Sequence, residues 1–135
     1  MGKTWIAAMA AALCLVGCTH PAGKTDPQLR AIEDSITAGN YDAAVSQTRA
    51  VEAQSPAPSC APQALYLEGY AMAYGWGDYR RARKPLEQLL DAAPAEPLAS
   101  KALRLLADCD YWQGYYARAI REYQKLSSSP DPETR

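Results

Sequence analysis

The chain has 135 residues, a formal net charge of −1, 21% charged residues and no Phe, which suits one soluble domain of ordinary polarity. With 14 Lys and Arg against 15 Asp and Glu it lacks the basic excess of a nucleic-acid binder, so no nucleic-acid partner is expected. A mean hydropathy of −0.34 excludes a polytopic membrane protein, and abundant Ala with nine Tyr and only eight Gly points to packed helices.

Lys3 supplies a minimal positive start, and Trp5 to Val16 is an apolar run of 12 residues. A bilayer span needs roughly 20, so residues 1–17 read as a cleavable export signal. A buried N-terminal helix would show a polar face, which this run lacks. Its end, Leu15-Val16-Gly17-Cys18, resembles the bacterial lipobox, in which small residues precede a Cys that becomes the acylated first residue of the mature protein. The resemblance implies lipidation of Cys18 by more than one acyl chain, and at ~0.8 kcal/mol per buried methylene that gives stable membrane attachment. Thr19 stands where the family uses Asp to retain lipoproteins in the inner membrane, which implies the periplasmic face of the outer membrane. Residues 18–26 hold His20, Pro21 and Gly23 without periodic apolar positions and read as a tether.

Helix signals then recur along the chain. Asp26-Pro27 offers an N-cap and a first-turn proline, and Ala61-Pro62 and Glu96-Pro97 also put proline where a helix can start. The pattern predicts helices near 27–38, 41–54, 62–76, 79–92, 97–113 and 115–127. Pro85 falls inside the fourth, where it cannot donate to the Arg81 carbonyl and should kink the helix or delay its regular part. The Ser- and Pro-containing tail, 128–135, reads as disordered.

A repeat is marked by Gly39-Asn40-Tyr41-Asp42-Ala43-Ala44, Gly77-Asp78-Tyr79-Arg80-Arg81-Ala82 and Gly114-Tyr115-Tyr116-Ala117-Arg118-Ala119, spaced by 38 and 37 residues. Each glycine permits a turn, the following Tyr packs at a helix entry and Ala lets two helices approach closely. Pro56 and Pro94 lie 17 residues after the first two glycines and stop the second helix of each pair. Across 27–126 this resembles the tetratricopeptide repeat, a helix-turn-helix unit of about 34 residues. Leu86, Leu89, Tyr123 and Leu126 match its large second-helix positions. The chain departs from the pattern in its longer period, in Gly69 standing one residue too far from its turn, and in Thr48 where a large apolar residue belongs. The implied fold is all-α, a right-handed superhelix of about three such repeats over 27–127. On helix six, Ala119, Tyr123 and Leu126 are expected inward, with Arg118, Arg121, Glu122 and Lys125 toward water. Helix six then caps its own end, or a second copy or a partner covers it.

In this frame Cys60 precedes one helix and Cys109 lies well into the next parallel one, an offset of ~16 Å. A disulfide allows only ~7 Å between Cα atoms, so no intrachain link is expected. Cys109 should be a small buried hydrophobe, and Cys60 an exposed thiol or an intermolecular one.

The chain's single His, His20, lies in the tether and cannot anchor a nucleophilic site. Asp108 and Asp110 point to different faces of one helix and make a poor acid/base pair. There is no CxxC motif, no metal-spaced set and no phosphate loop, so neither catalysis, a metal nor a cofactor is expected. The suggestive surface is aromatic: Tyr66, Tyr70 and Tyr74 recur every four residues, and Lys101, Arg104, Asp108 and Tyr111 occupy the matching positions of helix five. In the repeat family these positions line the concave groove, which implies binding of an envelope protein or extended peptide. The competing reading packs the tyrosines between neighbouring helices. The basic run Arg80, Arg81, Arg83 and Lys84 is a solvated face or a contact for acidic headgroups. Together these features imply a lipid-anchored adaptor of the bacterial envelope. The alternatives are a self-associating structural lipoprotein, or a module whose tyrosines bind peptidoglycan glycan.

Overall fold

The computed structural model describes residues 26–128, and within them the chain is all-α with no strand. The helices are α1 (Pro27–Thr37), α2 (Tyr41–Glu52), α3 (Ala61–Tyr70), α4 (Tyr79–Asp91), α5 (Leu98–Trp112) and α6 (Tyr116–Ser127), and α3 runs on into a π-helical turn, Ala71–Gly75. The expected signal, the lipidated Cys18, its tether and most of the C-terminal tail lie outside the described residues.

The glycines set the connections. Gly39, Gly77 and Gly114 adopt φ of 73°, 66° and 81°, left-handed backbone that only glycine takes without steric cost. After α1, Gly39 N–H donates to Ile36 O and Asn40 N–H to Ser35 O, and after α5, Gly114 donates to Tyr111 O and Tyr115 to Asp110 O. Both are Schellman closures that satisfy the last carbonyls of a helix. The residue after two of these glycines then caps the next helix: Asn40 Oδ1 accepts from Ala43 N–H at 3.2 Å and Asp78 Oδ1 from Arg81 N–H at 2.9 Å. Such tight turns make α1 and α2, α3 and α4, and α5 and α6 antiparallel pairs.

Each helix packs on the next in sequence, and α3 also touches α1 and α5. Small residues allow the close approaches: a Cβ on Gly69 would stand 2.7 Å from Leu86 Cγ, and one on Gly75 would stand 2.3 Å from the Tyr41 ring. The core runs through Ile32, Val45, Met72, Leu86, Leu89 and Leu105. Full burial of a Leu such as Leu86 contributes about 1.5–3 kcal/mol.

The extra residue before Gly77 is taken up by the π turn. Asp78 N–H reaches back to Met72 O at 2.9 Å, one residue further than its counterparts Asn40 and Tyr115. Gly69, upstream of that turn, keeps its place against Leu86. Pro85 is buried inside α4, which continues through it, and Pro97 stands at the N-cap of α5 rather than in its first turn.

Several sequence expectations are corrected. Cys60 is only 4% exposed and belongs to the core instead of presenting a thiol to solvent; Cys109 is buried as expected, and both are free. Thr48 is fully buried and satisfies its hydroxyl locally, donating to Val45 O at 2.8 Å. Arg83 is not part of a solvated basic face: it pairs with Glu87 at 2.6 Å and with Asp110, which is 1% exposed. Arg118 likewise turns inward, 3.3 Å from Asp110 and 4.0 Å above the Tyr115 ring. Tyr123, expected to face the core, is exposed, while Ala119 and Leu126 are buried.

Candidate functional site

The residues singled out on helices three and five meet along one surface. Tyr66, Tyr70 and Tyr74 form a ladder on α3 and its π turn, with ring centroids 6.4 and 5.0 Å apart. Tyr74 Oη donates to Asp108 Oδ2 on α5 at 2.9 Å, and Tyr123 Oη on α6 donates to Oδ1 of the same carboxylate. Asp108 therefore joins three helices, and a carboxylate with two phenol donors holds them at a fixed separation.

The hydroxyls are held protonated. Burial first, and then the hydrogen bond to Asp108 and its charge, raise Tyr74 well above the usual phenol range and push Tyr123 up to about 12. Tyr66 is also raised, chiefly by burial, with Tyr70 and Asp108 adding and Arg104 opposing. Arg104 and Lys101 are exposed one helical turn apart on α5, so the surface carries cations beside rings. Tyr70 and Tyr74 are exposed, whereas Tyr66 is partly buried, so the ladder is a surface feature anchored at one end. Tyr111 stands near Tyr123 and also meets Trp112 and Tyr116, with centroids at 5.4 and 5.5 Å. It joins the surface of the other six residues to an adjoining aromatic cluster.

Sequence reasoning missed Tyr123, whose tie to Asp108 spans 15 residues and leaves no periodic trace. It also missed a cavity of about 400 Å³ between α2, α3 and α4, lined by Arg49, Glu52, Glu68, Arg80, Arg81 and Lys84 among others. Glu68, 5% exposed, accepts from Arg49 Nε at 3.2 Å. Its neighbour Glu52 is pushed up to about 7, first by loss of water and then by hydrogen bonding to Glu68 and its charge, against Arg49 and Lys84.

Comparison with protein-family models, with curated proteins and with solved structures found no match to this chain.

Proposed function

We propose that the protein is a lipid-anchored adaptor of the bacterial envelope, a superhelix of three tetratricopeptide-like repeats that holds an extended polypeptide on its tyrosine groove at the periplasmic face of the outer membrane. Convergence of Tyr74 and Tyr123 on Asp108 carries this reading, because it fixes the spacing of three helices while leaving Tyr70, Lys101 and Arg104 open to a ligand. Tyrosine offers large contact area with few rotatable bonds, and the two cations suit carboxylates or main-chain carbonyls of a peptide. The left-handed glycine turns and the Gly69 to Leu86 approach support the repeat assignment. The lipobox-like Leu15 to Cys18 supports the location.

The test is in-cell crosslinking and affinity purification of the full-length protein beside Cys18→Ala and Tyr70→Ala/Arg104→Ala. An envelope protein captured by the parent and lost from both variants is the expected result. Capture that survives the groove substitutions would overturn the groove; recovery of the protein alone would favour self-association, for which the exposed Ile120 on α6 supplies an apolar contact.

A further inference from the structure

Antiparallel pairing places the three glycine turns at one end of the helix array, and the connections 53–60 and 92–97 at the other. Contacts between successive turns confirm the alignment: Tyr41 packs on Gly75, and Gln113 Nε2 donates to Tyr79 O at 3.4 Å. The two ends differ in chemistry. The connections 53–60 and 92–97 carry no aromatic residue. The turn end carries Trp76, Trp112, Tyr111, Tyr115 and Tyr116, all exposed, with Trp112 at 62% and Tyr116 at 59%. Four rings of this end touch one another, Tyr79 lying stacked on Trp112 at 6.3 Å and Tyr111 meeting Trp112 and Tyr116 edge-on.

A contiguous exposed aromatic patch marks a surface that another body covers. Their type and surroundings define the cover. Trp and Tyr are the side chains that prefer the boundary between hydrocarbon and headgroups, where the ring body is apolar and the N–H or O–H stays wet. Arg80, Arg81 and Arg121 are exposed around them, and the one carboxylate of the second turn, Asp78, is occupied by Arg81 at 3.4 Å and by capping α4. Arg118 adds a specific opening. It lines a depression of about 400 Å³ with Gly114, Tyr115, Tyr116 and Ala117, and with its side chain 41% exposed its cationic group can meet an anionic headgroup there. The first turn breaks the pattern, with Asp34 and Asp42 exposed in place of rings, so only the second and third turns qualify.

We propose that this aromatic and basic edge docks on the headgroup region of an anionic phospholipid bilayer and orients the domain with its turn end on the membrane. The inference goes beyond the groove and needs no lipid on Cys18. If Cys18 is acylated, the residues from it to Asp26 reach about 27 Å, more than the ~20 Å length of these helices, so an anchored chain can still lay this edge on the surface.

The test uses the chain from residue 18 onward as Cys18→Ala, which carries neither the acyl anchor nor the apolar run 5–16, so that Trp76 and Trp112 are the only indoles. Vesicles contain phosphatidylglycerol and phosphatidylcholine in equal parts, with bromine on the upper acyl chain as quencher. Quenching of the indole fluorescence is expected, together with at least about fivefold weaker vesicle partitioning for Trp112→Ser/Tyr116→Ser. Arg80→Gln/Arg121→Gln, which touches no ring, should weaken partitioning to phosphatidylglycerol vesicles and leave that to pure phosphatidylcholine unchanged. Unquenched indoles, or partitioning within twofold of the parent in both variants, would overturn the proposal and leave the edge as a protein contact. Because quenching is read on the unaltered edge, misfolding of a variant does not rescue the idea.

Discussion

Removing the Asp110 carboxylate should damage this fold far more than removing an exposed charge. Its side chain is 2% exposed and sits between Arg83 of α4 and Arg118 of α6, whose side chains are 20% and 41% exposed. Asp110→Ala strands Arg83 in a site from which water is largely excluded, and an uncompensated charge of that kind costs about 3–5 kcal/mol. Arg83 retains Glu87 at 2.6 Å, which sets the expected loss at the lower end, about 3 kcal/mol. For a domain of this size each kcal/mol shifts Tm by roughly 4–8 °C, so thermal melting followed by circular dichroism should show a fall of at least about 12 °C. Asp110→Leu combined with Arg83→Met should recover most of the loss, because apolar side chains of similar volume need no partner. A fall under about 4 °C for the single change, or a double variant worse than either single one, would refute the reasoning.

Gly69→Ala should destabilise by about 1–3 kcal/mol because its Cβ meets the fully buried Leu86 at 2.7 Å. Gly77→Ala meets nothing within 4 Å and should cost only the ~1 kcal/mol of left-handed backbone; urea titrations that reverse this order would contradict the packing described. Ala93 follows α4 with φ of 49°, and Ala93→Gly should raise Tm by a few degrees by relieving that conformation, whereas a fall would show the position to be unstrained. Glu52 has its folded pKa raised from 4.5 to about 7, so the stability it contributes is fully present below about 4.5 and lost as pH rises through about 7. Tm of the parent should therefore fall between pH 5 and pH 8 by more than that of Glu52→Gln, and equal pH profiles would remove Glu52 as the source.

The helices were legible in the sequence because their ends are punctuated. Proline at 27, 62 and 97 and glycine at 39, 77 and 114 act within a turn of where they stand, so the boundaries came out within about two residues except where α3 passes into its π turn. Buried polar residues were not legible. Asp110, Glu68 and Arg83 look like ordinary surface charges until a second helix brings their partners, 27 residues away for Arg83 and Asp110 and 19 for Arg49 and Glu68. Cys60 was misread for a related reason: a residue just before a helix is exposed by local rule, but here the chain folds it into the core. On the tyrosine surface, the four-residue spacing of the rings announced one face, while Asp108 as the meeting point of Tyr74 and Tyr123 depends on α6 crossing α5.

The π turn shows how one antiparallel helix pair accommodates an extra residue that the others lack. A surplus residue between Ala71 and Gly75 widens one loop of backbone, and its effects end there: Gly69 upstream still meets Leu86, and Gly77 downstream still reverses the chain. An insertion or deletion confined to 71–75 would therefore rotate Tyr74 off Asp108 and uncouple α3 from α6, while the reversals at both ends of the pair kept their shape.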